Sequence, residues 1–216
     1  MRPSRIPLVA LAALAAACAA NPPRDTSGAT GTATAAATAP VRLTLVGIND
    51  FHGQVEPHRH PLKDGQVVEE GGAALLAGYL ARLRADNPEG VLLVDAGDLF
   101  QGTLASNLTE GAVVIDVYNH LGFAAAAIGN HEFDYGPVGP ASTATRPGED
   151  PLGALKARIR QAKFPLLSVN IREAATGKRP AWLGGDGTHL VTLKGVKVGL
   201  MGLTTESTPD TTHPVN

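Results

Sequence analysis

Residues 123–136 read FAAAAIGNHEFDYG. An apolar run halts at Gly129, and Asn130, His131, Glu132 and Asp134 then bring an amide, an imidazole and two carboxylates together before Gly136. The apolar part has the length of a buried strand, but its alanines give little β-propensity, so its assignment rests on its neighbours. Two earlier segments have the same habit. VRLTLVGI (41–48), apolar and β-branched, runs into Asp50 and His52, and GVLLVDAGD (90–98) ends in Asp95 and Asp98.

Helical patterns separate these runs. GGAALLAGYLARLRADNP (71–88) places Leu76, Tyr79, Leu80 and Leu83 at helical spacing and stops at Asn87-Pro88. Glu110 leads a second helix with Val113, Val117 and Leu121 on one face, and PLGALKARIRQA (151–162) is a third, with Leu152, Leu155 and Ile159 inward. FPLLSVNI (164–171) reads as a fourth strand, and HLVTLKGVKVGLMGLT (189–204) as two strands around Lys194-Gly195. Strands alternating with helices predict an α/β layered fold with a mixed sheet, partly parallel, and an antiparallel hairpin toward the end. No internal repeat is present, and the Pro/Gly-rich stretch 138–150 reads as a surface insertion.

The chain of 216 residues is long enough for one domain with a proper core. Its formal charge of −2 gives no grip on a nucleic-acid backbone, which disfavours a polymeric nucleic-acid partner but not a small phosphorylated ligand. The single cysteine, Cys18, excludes an intrachain disulfide. Residues 1–18 have the layout of a secretory signal peptide: Arg2 and Arg5, an apolar run from Ile6 too short for a permanent span, then small residues. LAAAC (14–18) resembles a bacterial lipobox, with Ala15 where leucine is commoner; the alternative is a leader cut at an Ala-X-Ala site. Residues 19–40, rich in Ala, Thr and Pro, read as a flexible tether, and the domain spans 41–216. Export to the periplasm, or to the outer membrane through a lipidated Cys18, is the expected destination.

In open α/β sheets ligands bind beyond the carboxyl ends of the strands, where segments distant in sequence are neighbours. The three polar clusters therefore predict one site. Asp50 and His52, two apart on extended chain, can face the same side. Carboxylate, imidazole and amide donors without thiolates suit Zn²⁺, Mn²⁺, Co²⁺ or Mg²⁺ and argue against Fe–S or Cu(I). A carboxylate such as Asp98, from a central strand, could bridge two ions. Two ions about 3.5–4 Å apart activate water and stabilise attacking and leaving oxygens.

INDFHG (48–53), DAGDLFQGT (95–103) and GNHEFDYG (129–136), in that order, resemble the motifs of the calcineurin-like metallophosphoesterases, within them the 5′-nucleotidase / 2′,3′-cyclic phosphodiesterase / UDP-sugar hydrolase family. FPLLSVNI and VGLMGLTTESTP (198–209) match later family segments. The resemblance implies a hydrolase with two divalent metal ions acting on nucleotides or nucleotide sugars. It implies that Asp50 and His52 bind one metal, Asp98 bridges both, and Asn130 binds the second. His131 matches the histidine that is not a ligand and protonates the leaving group, and Asp134 the carboxylate that orients it. The family carries further metal-binding histidines after GLTT, in a Gly-His-X-His-like motif, and a C-terminal base-clamping domain. Neither has a counterpart before Asn216, so the chain is expected to be the front part of a longer enzyme and, alone, a poor catalyst.

Other polar residues invite plainer readings. Asp95 is expected to be a structural hydrogen-bonder beside Asp98, and Glu132 to support its loop or face away. His58 and His60 have a spacing that could bind metal, but Pro57 and Pro61 flank them and an exposed, incidental pair is expected. His120 should face solvent, His189 and His213 carry no motif, and Trp182 should be a packing residue. Two alternatives to the nucleotidase remain: a non-catalytic exported lipoprotein binding metal or nucleotide, and a sulfur-ester hydrolase of the same fold.

Overall fold

The computed structural model describes residues 39–212. The expected signal peptide with Cys18, nearly all of the expected tether and His213 lie outside the described residues. In chain order the elements are β1 (Thr44–Ile48), β2 (His58–Pro61), β3 (Val67–Glu70), α1 (Gly72–Asp86), β4 (Val91–Asp95), α2 (Leu104–Leu108), α3 (Ala112–Leu121), β5 (Ala125–Ala127), α4 (Gly153–Gln161), β6 (Leu166–Leu167), β7 (Thr188–Leu193), β8 (Val196–Met201) and α5 (Thr208–Thr211).

β1, β4, β5 and β6 form one parallel sheet in that spatial order. Its register decides the architecture of the site. Ile48 pairs with Asp95, Asp95 with Ala126, and Ala127 with Leu167, so the strands end level. The segments that follow them, around 49–53, 96–102 and 128–134, must emerge along one edge. Parallel strands need helical crossovers, which α1, α3 and α4 supply. Alternate strand residues serve the two faces of the sheet. Val46, Ile48, Leu93, Ala126 and Leu166 join the core with Leu80, Ile115, Tyr118 and Leu155 of the helices, whereas Leu45 on the opposite face is exposed.

Several elements differ from expectation. The antiparallel pair β7–β8 is present, but it forms its own two-stranded sheet instead of extending the parallel one. Residues 58–70, to which the sequence reading assigns no element, form the hairpin β2–β3, with Pro61 at its tip end where a missing N–H costs little. β5 and β6 are shorter than the apolar runs that signalled them. In α1 Tyr79 points outward, because Ala73, Leu76, Ala77 and Leu80 complete the inward stripe. In α3 the buried face is Val114, Ile115, Tyr118 and Leu121; Val113 and Val117 only flank it. That helix starts after Gly111, not at Glu110, and Leu152 stands at the N-cap of α4 rather than within it.

Two polar connections tie the core to the carboxyl edge. Tyr118 stacks on Phe123 at 3.8 Å between ring centroids, and its hydroxyl donates to Asp95 Oδ2 at 2.6 Å. The other Asp95 oxygen accepts the Gly97 amide at 2.6 Å. On the far side, Thr204 Oγ1 donates to the Ile128 carbonyl at 2.6 Å and lies 2.9 Å from Ser168 Oγ. Asn170 grips the Thr204 main chain at both its amide and its carbonyl. The chain after β8 is thereby fastened to the ends of β5 and β6.

The Tyr118–Asp95 bond yields a stability prediction. Tyr118→Phe keeps the stacked ring but strips a partner from a buried carboxylate, and should cost ~1–3 kcal/mol in urea denaturation. Tyr79→Ala, on the exposed face of α1, should change stability by less than about 0.5 kcal/mol. Equal midpoints for Tyr118→Phe and the wild-type protein would contradict the assignment.

Candidate metal centre

At the carboxyl edge the backbone is held in an unusual state. Asp50, His52 and Asp98 have positive φ of 52°, 47° and 62°. Each lies in the left-handed region that side chains with a Cβ avoid, at a cost of ~1–2 kcal/mol per residue. The conformation persists because the turns lock one another. Asp50 N donates to Gly97 O at 3.0 Å, His52 N to Asp98 O at 3.0 Å and Gly53 N to Leu99 O at 2.9 Å. The β1–β4 pairing thus continues past the strands, and strain collects where the polar side chains are displayed.

The second and third clusters meet through glycines. A β-carbon at Gly97 would lie 2.8 Å from Gly129 N, and one at Gly129 would collide with the Asp98 carboxylate. Only bare backbone lets the two turns approach this closely. His131 N then donates to Asp98 Oδ1 at 3.1 Å. Residues His131–Phe133 form one turn of 3-10 helix, in which side chains three apart eclipse. That geometry sets the imidazole of His131 over Asp134, with Nδ1 and Oδ2 2.5 Å apart.

Donor atoms of His52, Asp98 and His131 lie within 4.8 Å of one another, a spacing a metal ion can span. Asp50 adjoins them, its Oδ1 3.7 Å from His52 Nε2 and its Oδ2 accepting from the Asn49 amide. Asn130 sits on the same loop, and its side chain does not cap the turn that follows. The two imidazoles are held differently. His52 Nδ1 contacts the Gln101 carbonyl at 2.6 Å. A carbonyl can only accept, so Nδ1 carries a proton, and it is Nε2 that faces the cluster, the nitrogen that the neutral ring would offer to a metal. His131 Nδ1 faces a carboxylate, which favours the imidazolium. Burial works against that charge on His131, but the Asp134 hydrogen bond and the carboxylates of Asp134, Asp98 and Glu132 outweigh it and raise the pKa.

Acidic groups crowd the edge. Burial raises Asp95 to about 6, against the bonds from Tyr118 and Gly97, with the charges of Asp50 and Asp98 adding to the rise. Asp95 is occupied by those two partners, in the structural role expected of it. Glu132 is fully buried, and burial pushes it up to about 7 although backbone amides favour its anion. It does not face away: it accepts from Asp98, Leu99, Phe100 and Gly129.

The remaining polar residues lie apart from the cluster. His58 and His60 are exposed on β2, with His58 Nε2 against Gln54 Oε1. His120 is exposed and Trp182 packs against the core. Beside the cluster, a cleft of about 750 Å³ is lined by Gln101, Asn107, Glu110, Asp134 and Tyr135, large enough for a small organic ligand. Sequence reading missed Asn107 and Tyr135, which hydrogen-bond at 2.7 Å across it.

No family model matches the chain. Among curated proteins it is 35% identical over 177 residues to the snake venom 5′-nucleotidase of Gloydius brevicauda, covering 80% of this chain and 27% of that one. It superposes on the 5′-nucleotidase precursor of Thermus thermophilus with a TM-score of 0.62 and 33% identity, over 80% of this chain and 31% of the other. A calcineurin-like phosphoesterase of Bacillus subtilis shares the fold, with a TM-score of 0.54, 24% identity and coverage of 78% of this chain and 50% of that one. The chain spans less than a third of the length of the curated relatives it matches. With its three strand-end clusters gathered at one edge of the same sheet, the chain is a homologue of the 5′-nucleotidases over about 80% of its length.

Proposed function

We propose that this chain forms the metal-binding part of a phosphoester hydrolase that acts on nucleotides or nucleotide sugars. The observation that carries the reading is the convergence of His52 and Asp98 at one edge of the sheet, with the His131 imidazole within 4.8 Å of both and backed by Asp134. The donor set fits divalent ions: oxygen and nitrogen atoms only, an imidazole whose tautomer leaves Nε2 open, and carboxylates whose mutual repulsion a cation relieves. Asp50 and His52 would hold one ion, Asp98 would bridge to a second, and Asn130 would hold that second ion. Zn²⁺, Mn²⁺, Co²⁺ and Mg²⁺ all suit these donors. Once bound, such ions supply Lewis acidity and lower the pKa of water from 15.7 toward about 7.

The protein's own residues do the rest. His131, charged through its bond to Asp134, carries a proton on Nε2 for the departing alkoxide. Asp134 holds the ring in place and accepts from Nδ1 throughout. The strained turns at Asp50, His52 and Asp98 fix the donors before any ligand arrives, so little reorganisation remains when substrate binds. The leader-like residues 1–18 support an exported protein, in the periplasm or tethered to the outer membrane through Cys18. Among the described residues no helix is long and apolar enough to cross a membrane.

Calorimetric titration of this chain with Mn²⁺, and phosphate release from 5′-AMP and a UDP-sugar by a chain completed at its C-terminus, test the roles separately. His52→Ala should weaken Mn²⁺ binding more than ~100-fold. His131→Ala should leave Mn²⁺ binding in place and lower metal-dependent phosphate release by ~10²–10⁴-fold. Loss of Mn²⁺ binding in His131→Ala would make that residue a ligand. Binding without phosphate release from either substrate would identify a binding protein instead.

The acid cluster adds a pH prediction. Asp95 and Glu132, raised to about 6 and about 7, keep protons in the folded protein that the unfolded chain releases from about pH 4 upward, and the raised pKa of His131 acts in the same sense above its ordinary value of 6.5. Stability in EDTA should therefore fall as pH rises through about 6 to 7. The lowered pKa of Asp150 acts only at lower pH: its contribution, present above 3.8, is lost as pH falls further. Excess Mn²⁺ should flatten or reverse the slope, because metal binding favours the deprotonated forms. Urea midpoints measured at pH 5, 6, 7 and 8 read this directly; a rise with pH in EDTA would contradict it.

A further inference from the structure

Glu132 is fully buried, yet none of the ion pairs of the described residues involves it. A buried carboxylate without a cation is expensive, and a neutral side chain would be easier to bury. Its partners explain what it does there. Oε2 accepts from Asp98 N at 3.0 Å and from Gly129 N at 2.7 Å; Oε1 accepts from Leu99 N at 2.7 Å and, more weakly, from Phe100 N at 3.3 Å. Three of these amides belong to the turn after β4, and the fourth to the turn after β5.

Those two turns carry Asp98 on one side and Asn130 and His131 on the other. Among the described residues no main-chain hydrogen bond joins residues 96–102 to residues 128–134. Hydrogen bonding between them runs through side chains: Glu132, and Asp98 Oδ1 to His131 N. The Asp98 carboxylate is itself offered to a cation, so its bond to His131 N must share that oxygen's lone pairs when an ion arrives. Glu132 is the link that metal binding leaves untouched.

We propose that Glu132 is a positioning residue for the metal centre, a single acceptor that clamps the two ligand-bearing turns at the separation a cation requires. The proposal rests on the metal-binding reading above. It specifies what substitution should do. In Glu132→Gln one oxygen becomes an NH₂ group, which cannot accept, so either the Leu99–Phe100 pair or the Asp98–Gly129 pair loses its acceptor. Glu132→Asp keeps both oxygens but falls one methylene short.

Two measurements on the full chain test this. Mn²⁺ affinity by calorimetry should fall ~10–100-fold in Glu132→Gln, the range seen when a residue supporting metal ligands is lost, and less in Glu132→Asp. A core variant remote from the site, Leu155→Ala, serves as the control for lowered stability and should bind Mn²⁺ like wild type. Amide hydrogen exchange in the absence of metal should speed up in Glu132→Gln on both turns together, at residues 98–100 and at Gly129. Should Glu132→Gln not fold, Glu132→Asp and the wild-type protein still decide, since the clamped amides must exchange as one group in the latter. Wild-type Mn²⁺ affinity in Glu132→Gln, or faster exchange at Gly129 alone, would overturn the proposal. If the wild-type protein binds no Mn²⁺, the functional reading fails instead, and exchange alone judges the clamp.

Discussion

The structure depends on how closely two turns approach at the carboxyl edge of the parallel sheet. Gly97 and Gly129 leave no room for a β-carbon between them, and the Asp98 carboxylate occupies the space beside Gly129. Level strand ends, set by the β1–β4–β5–β6 register, bring the turns to the same edge. Glycine at the crossing turns proximity into contact. Without that approach, Asp98 and His131 would remain neighbours in outline only, and the spacing that suits a cation would be lost.

Strain and charge in this region point the same way. Three residues with ordinary side chains adopt left-handed backbone, and several acids stand closer together than their charges favour. Neither feature helps the fold. Both are sustained by a core anchored through Tyr118 and by the Thr204 and Asn170 contacts on the opposite flank. At this edge the backbone positions of the donors are fixed, and the two imidazoles are distinguished by whether a neutral carbonyl or a carboxylate stands behind them. That difference is the basis of the separate roles proposed for them, one as a ligand and the other as an acid.

Much of this was legible in the sequence because parallel strands repeat a simple rule. Apolar runs that end in polar bursts mark strands whose carboxyl ends share an edge, and Asp50, His52, Asp98 and His131 were found that way. Other features depend on information that no local pattern holds. The hairpin β2–β3 was hidden because exposed strands carry no hydrophobic alternation and Pro57 and Pro61 read as loop signals. The buried face of α3 was misjudged by one position, since valines at 113 and 117 compete with Val114, Ile115 and Tyr118 and only tertiary packing chooses between them. Tyr79 has the right spacing for the core, but alanines already fill the contact. The positive φ values and the four-amide environment of Glu132 arise from contacts between distant segments, which spacing along the chain cannot express.

X-ray absorption spectroscopy of the Zn²⁺-loaded protein tests most directly whether the strand-end clusters gather around a cation. The expected spectrum shows nitrogen and oxygen neighbours at about 2.0–2.2 Å. One imidazole contribution should disappear in His52→Ala, and the spectrum of His131→Ala should match that of wild type. A spectrum unchanged by His52→Ala would place the ion elsewhere and contradict the account.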